Sequence, residues 1–331
     1  MMPFDPNAVA VKNGRYFGFP YSFEEAEILI LPAPWDVTTS YQDGTSRGPS
    51  AVLEASTQLD FTSPYRPEAW NSKIGTIAPL GSWAEDNRSL RILAKEVLAA
   101  LEAGEVPAAA SLAAVNTGGE KFHGELETLT ARGLAAGKKV VTLGGDHSVS
   151  IGPIRAHAKK HSSFSVLHID AHADLRVAYA GFPDSHASIM NQVVKLPEVK
   201  ALVQVGLRDL GPQEMAETAE NPKITAFFDW DLKRAQARGV SWAEQCAAIL
   251  KPLGKEVYLS VDVDGFDPKY CPGTGTPVPG GLELWEFFFL LEELERSGRR
   301  LIGADLVEVS ELEWDGNVGA RLLFQICQFL R

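Results

Sequence analysis

The sequence predicts an α/β protein, a parallel sheet with helices on both faces. Three observations predict it. Short runs of Val, Ile and Leu recur along the chain without polar alternation, as strands covered on both faces require. Stretches with helical spacing lie between the runs. Residues able to carry chemistry stand just after three of the runs, where an open parallel sheet binds its ligands.

The runs are residues 28–31, 140–143, 164–169, 202–205, 226–228, 257–261 and 301–304. Leu90, Leu93, Val97, Leu98 and Leu101 repeat at helical spacing after the first run. Leu284, Phe287, Leu291 and Leu294 do so near the C-terminus. Residues 63–83 mix Pro, Gly, Trp and Asn in irregular order and predict a long loop. Residues 99–119 are rich in Ala and Gly and predict a surface loop. No linker, repeat or low-complexity tract divides the chain. This predicts one domain over residues 1–331, with 1–26 as an N-terminal extension.

The chain carries 43 acidic and 31 basic residues, a formal charge of −12. That balance argues against nucleic acid or an anionic membrane as partner and suits a small cationic ligand. Cys246, Cys271 and Cys327 are far apart and form no CxxC, which predicts reduced thiols in a cytoplasmic protein. No basic stretch followed by an apolar run opens the chain. No apolar run reaches the roughly 18 residues of a membrane span.

Three segments hold the chemistry. Gly144-Gly145-Asp146-His147-Ser148 follows the run 140–143. Asp170-Ala171-His172-Ala173-Asp174 follows 164–169. Asp262-Val263-Asp264-Gly265-Phe266-Asp267-Pro268 follows 257–261. Each alone has a plain structural reading: a turn, a capped helix start, a loop of Asx turns. Together, after separate strands, they point to one crevice lined with carboxylates and imidazoles, the ligands of Mn²⁺, Fe²⁺, Co²⁺, Ni²⁺ and Zn²⁺. On an extended backbone Asp262 and Asp264 share a face, roughly 6–7 Å apart at Cα, which suits two ions about 3.5–4 Å apart. Asp170 and Asp174 would stand roughly 13 Å apart on a continuing strand. The strand must therefore end near His172 and the chain must curl.

These motifs, in this order and at about this spacing, resemble the three metal motifs of the ureohydrolase family of arginases, agmatinases and formimidoylglutamases. The likeness extends to residues 273–277, to Glu308 within 303–309, and to the upstream segment 35–49, covering roughly residues 27–331. It implies a three-layer αβα fold with a central eight-stranded parallel sheet, and homo-oligomers, often trimers or hexamers. It implies two divalent ions per subunit, usually Mn²⁺ and in some members Ni²⁺. One would be held by His147, Asp170, Asp174 and Asp262, the other by His172, Asp170, Asp262 and Asp264. Four ionised aspartates then balance two divalent cations, and water bound there loses a proton near neutral pH. Asp170, His186 and Glu308 stand at the family's catalytic positions. Glu308, His186 and Thr276 match substrate contacts. Glu308 would face a guanidinium, which keeps its proton at any physiological pH. His186 would move a proton to the leaving amine, a task that suits an imidazole with a pKa near neutrality. His123, His157, His161 and His168 have no such setting and read as structural or surface residues.

The run Asp174-Leu175-Arg176, with Tyr179, Gly181 and Ser185-His186, resembles agmatinases. Arginases usually place Asn where Arg176 stands and an acid where Gly211 stands, to hold the α-carboxylate and α-amine. Their absence favours agmatine. Arg176 either pairs with a nearby acid or anchors a substrate carboxylate, as in guanidinobutyrate or formimidoylglutamate. Free guanidine and arginine are further guanidino alternatives. A silent metal-binding scaffold and a deacetylase-like amide hydrolase are alternatives of other classes. Segments 63–83, 99–120 and 311–319, with Trp314, depart from the agmatinase pattern.

Overall fold

Among the described residues, eight strands form one sheet in which every pairing is parallel. The computed structural model describes residues 4–63 and 65–331. Residues 1–3 of the predicted extension and Pro64 of the 63–83 segment lie outside them. The strands are β1 (Ile28–Ala33), β2 (Ile74–Thr76), β3 (Lys139–Gly144), β4 (Phe164–Ile169), β5 (Val199–Leu207), β6 (Ile224–Phe228), β7 (Glu256–Asp262) and β8 (Arg300–Val307). The helices are α1 (Gly48–Ser56), α2 (Trp83–Glu102), α3 (Ala109–Ala135), α4 (Ile151–Lys160), α5 (Ile189–Val193), α6 (Pro212–Glu220), α7 (Asp229–Ala237), α8 (Trp242–Leu250), α9 (Leu284–Arg296) and α10 (Glu313–Phe329).

Alternation along each strand divides the core. Ile28 and Ile30 face a cluster with residues of α1, α8, α9 and α10. Leu29 and Leu31 face α2 and α3 on the other side, and Val166 and Leu202 meet α4 and α5. The result is the expected three-layer αβα arrangement. All seven apolar runs are strands.

The eighth, β2, lies inside the segment expected to be loop. It is a three-residue edge strand, too short to show a pattern. A Cβ on its Gly75 would come 2.8 Å from the Ala26 side chain, so only glycine fits there. Residues 99–119 also differ from expectation. The surface loop occupies residues 103–108, and α3 runs straight through Gly118 and Gly119. Gly118 is there for packing: a Cβ would stand 2.3 Å from Leu90. Tertiary fit overrides glycine's poor helix propensity. Tyr16, Phe17 and Phe19 are buried against Phe61 and Phe324, with Phe17 and Phe324 ring centroids 5.2 Å apart. No described helix is long and apolar enough to cross a membrane.

The sheet order is β2-β1-β3-β8-β7-β4-β5-β6. Strands far apart in sequence thus become neighbours. β3, β8, β7 and β4 stand side by side, and their carboxyl ends deliver His147, Glu308, Asp262 and Asp170 to one place.

Candidate metal centre and its cavity

The turn after β3 depends on Gly145. A Cβ there would lie 1.7 Å from the Trp35 carbonyl oxygen, so any other residue would push the chain off its path. Trp35 is itself fixed, stacked on Phe122 at 4.1 Å. Asp146 then caps the short turn His147–Ser150, accepting the Ser148 N–H at 3.0 Å. Burial raises the Asp146 carboxyl to about 7. Asp146 supports the turn, and His147 enters the crevice.

β4 ends at Ile169, and the chain curls as the spacing required. Asp174 takes a φ of 55°, rare for a residue with a side chain. Its carbonyl accepts the N–H groups of Met190 and Asn191 at 3.0 and 3.1 Å, which hold the curl. Asp170 Oδ2 and Asp174 Oδ2 consequently sit 3.0 and 3.1 Å from His147 Nδ1.

The Asp262–Asp264 pair corrects an expectation. The backbone there is not extended: β7 stops at Asp262, and Val263–Gly265 forms a 3-10 turn. Asp262 Oδ1 accepts the Asp264 N–H at 2.8 Å and sets that turn. Both carboxylates still reach the site. Asp262 Oδ2 is 3.3 Å from His147 Nδ1, and Asp264 Oδ2 is 3.0 Å from His172 Nδ1. Gly265 packs on the Asp170 backbone, where a Cβ would come 2.7 Å from the amide nitrogen. Arg208 fixes the loop from outside, donating to the carbonyls of Gly206, Asp264 and Val278 at 3.0, 2.6 and 2.9 Å.

Two groups of potential ligands result. His147, Asp170 and Asp174 converge with His168, and Asp170, His172 and Asp264 converge beside them. Asp170 belongs to both. Asp262 adjoins the first through His147.

Glu308 follows β8 at a φ of 62°. Its Oε1 accepts the His147 N–H at 3.0 Å, while its buried Oε2 has no partner. Thr276 Oγ1 donates to Asp264 Oδ2 at 3.3 Å. His186 meets the Tyr179 ring edge-on at 5.8 Å, and its buried Nδ1 has no partner. A cavity of about 230 Å³ joins these groups, bordered also by Arg176, Asp209 and Gly211.

Crowding shapes the electrostatics. Burial, reinforced by Asp264 and Asp170, drives the Asp262 carboxyl well above the usual carboxylate range. Burial and then the Asp170 charge raise Asp174 to about 6. Burial and the charges of Asp262, Asp146 and Asp264 raise Glu308 well above its ordinary value. Asp170 behaves differently: burial opposes its charge, but His168, His147 and His172 outweigh burial and hold it well below. Burial disfavours a charged His147 ring, yet contacts with Asp170, Asp174 and Asp262 raise its pKa. His172 is raised in the same way, against burial, by Asp264 and Asp170. Burial, with the nearby charge of His172, lowers His186 to about 3. Its ring rests neutral, below the near-neutral value the sequence suggested, because the pocket strips its water.

Sequence reasoning passed over one neighbour. His168 is fully buried and places Nε2 2.8 Å from Asp170 Oδ2. A signal existed: His168 is two residues before Asp170, hence on the same strand face. Of the other three, His161 pairs with Glu256 at 2.8 Å, and His123 and His157 are buried away from the cluster. Arg176 lies 3.5 Å from Glu214 and over the Tyr179 ring. A Cβ on Gly211 would meet both Glu214 and Arg176.

The side chains fit divalent cations. Four carboxylates converge on two imidazoles, and among the described residues no Lys or Arg pairs with any of the four. His147 Nδ1 is buried and makes no hydrogen bond, although three carboxylate oxygens surround it. A cation would satisfy that nitrogen and relieve the repulsion.

Such a donor set, at the strand ends of an open parallel sheet, marks an α/β protein with the ligands to hold divalent metal ions. The profile of the Arginase family matches residues 26–328. An N(1)-aminopropylagmatine ureohydrolase from Thermus thermophilus is 36% identical over 288 residues, 87% of this chain and 84% of that protein. An agmatinase from Bacillus anthracis is 31% identical over 290 residues, 87% and 85% of the two chains. The solved structure of a hypothetical agmatinase from Burkholderia thailandensis has the same fold, with a TM-score of 0.74 at 23% identity, covering 98% of this chain and 91% of that one. The chain belongs to the arginase family and is a ureohydrolase.

Proposed function

We propose that the chain hydrolyses the guanidino C–N bond of agmatine or a close N-substituted agmatine, releasing urea and an amine. Glu308 carries the reading. Its free, buried Oε2 stands in the same cavity as the His/Asp cluster, where a guanidinium would supply the missing partner.

In this reading His147, Asp170, Asp174 and Asp262 hold one divalent ion, and His172, Asp170, Asp262 and Asp264 hold the other. Mn²⁺ is the leading candidate and Ni²⁺ the alternative. Bound there, the pair would neutralise four carboxylates and activate water as the nucleophile. Glu308 orients the guanidinium, and Thr276 steadies Asp264 at the cavity wall. His186, neutral at rest, accepts a proton on a ring nitrogen and passes it to the departing amine, while Tyr179 holds the ring. Water provides the urea oxygen, and its two protons end on the amine.

Substrate choice rests on the outer cavity. Arg176 has Glu214 beside it, and Gly211 offers no acid, so an α-amino-acid head finds neither anchor. Asp209, exposed on the same cavity, suits a second cationic group. The similarity to an N(1)-aminopropylagmatine ureohydrolase supports a polyamine-substituted form as the second reading.

We further place the chain in the cytoplasm as a single domain, consistent with three free, buried cysteines. A homo-oligomer, trimer or hexamer, would cover the exposed Trp230, Trp285 and Trp314. Sizing with light scattering tests that assembly.

A substrate panel on protein reconstituted separately with Mn²⁺ and Ni²⁺, scoring urea and ammonia, tests the function. Agmatine or its aminopropyl form should exceed arginine at least about a hundredfold in kcat/KM, matching roughly 3 kcal/mol for an unpartnered carboxylate. Comparable values would refute the missing-anchor argument. Preference for an ω-guanidino acid, lost in Arg176→Ala, would make Arg176 the carboxylate anchor.

A further inference from the structure

His168 lies close enough to the first ligand group to be taken for a metal ligand. Its hydrogen bonds say otherwise. The β4–β5 register sets His168 opposite Gln204. Both side chains are fully buried. Gln204 Nε2 stands 2.8 Å from the Ala173 carbonyl oxygen and 2.9 Å from His168 Nδ1. A carbonyl oxygen only accepts, so the group facing it must be the Gln204 amide nitrogen. That nitrogen spends its other proton on His168 Nδ1, which therefore accepts. The ring proton sits on Nε2 and points at Asp170 Oδ2, 2.8 Å away.

We propose that Gln204 and His168 form a positioning relay that orients Asp170 toward both ions, with His168 a hydrogen-bond donor and not a ligand. The inference rests on the metal reading above. The relay holds one oxygen of Asp170; the other, Oδ1, accepts the His172 N–H at 2.6 Å. Each oxygen keeps a lone pair for a cation, Oδ2 on the His147 side and Oδ1 on the His172 side. The same Gln204 amide grips Ala173, so it also ties the Asp170–Asp174 curl to β5.

The test uses the full chain stripped of metal, titrated with Mn²⁺ by calorimetry, with melting temperatures of the metal-free proteins alongside. His168→Met and Gln204→Met should weaken Mn²⁺ binding about 10–100-fold, the usual cost of losing a group that orients a ligand. His168→Gln should restore most of that affinity, because its terminal amide N–H reaches about as far as imidazole Nε2. Long-range ¹H–¹⁵N spectra of the metal-free wild type should show His168 with its proton on Nε2, and Gln204→Met should disturb that signal.

Wild-type affinity in both Met variants would overturn the relay. So would His168→Gln losing as much as His168→Met, the result expected of a ligand. Lower melting temperatures with unchanged Mn²⁺ affinity would leave only a packing role and would also overturn it. A wild type that takes up neither Mn²⁺ nor Ni²⁺ would overturn the metal reading itself, a failure recognisable because the variants then have nothing to lose.

Discussion

His147 and His157 are both imidazoles shut away from solvent, one just past the end of β3 and the other on α4. The Nδ1 of each is buried without a hydrogen bond. His147 is ringed by Asp170, Asp174 and Asp262. His157 meets the Tyr258 ring at 5.1 Å and His161 at 5.7 Å, with the Gly303 backbone against it. Burial works against charge in both rings. At His157 it is unopposed and, with His161 and Lys139 adding to it, lowers the pKa to about 3. At His147 the carboxylates reverse it. A buried histidine is thus ordinary core; one that gathers acids marks a place for a cation.

Four experiments press on this contrast. The largest effect belongs to Asp170, which touches both ligand groups. Asp170→Ala should empty both sites and abolish measurable turnover, while Asp264→Ala should keep about one ion per chain. Equal metal content in the two variants would contradict the division into shared and terminal ligands. His157→Met should match wild type in both metal and turnover.

His186→Ala should lose about 10²–10⁴ in kcat yet retain its metal. Metal loss in that variant would reassign His186 as a ligand. Glu308→Gln should cost about 10–100-fold in kcat/KM for a guanidinium substrate, the worth of a charged hydrogen bond, with ion content unchanged. An unaltered kcat/KM would remove Glu308 from the substrate's partners.

The smallest effect is a slope. The folded His157 pKa, about 3, lies below the unfolded value near 6.5. Unfolded chain therefore takes up a proton that folded chain refuses, and stability is lost as pH falls from about 6.5 toward 3. His157→Met removes that proton. Between pH 6 and 4 its unfolding free energy should fall less steeply than wild type's, by about 1.4 kcal/mol per pH unit. Identical slopes in denaturant titrations would refute the account of His157.

What the sequence made legible follows from the same physics. Long Val, Ile and Leu runs announced seven strands, because central strands are buried on both faces. β2 stayed hidden because three edge residues carry no period. Aspartates and histidines after strands located the crevice. The turn at Asp262–Asp264 was one of two readings of its segment, an Asx turn against an extended backbone, and residue types alone do not choose between them. His168 carried one signal, its two-residue spacing from Asp170, but its partnership with Gln204 exists only across the β4–β5 register. Arg208 was missed because it acts on carbonyls that no sequence pattern marks.

The most direct test is to strip the wild-type chain of metal, return Mn²⁺ in steps, and follow bound ions per chain together with urea released from agmatine. The account predicts that activity is absent without metal and rises to a plateau as occupancy reaches two per chain. Full urea release from metal-free protein, or a plateau with no ions bound, would contradict it.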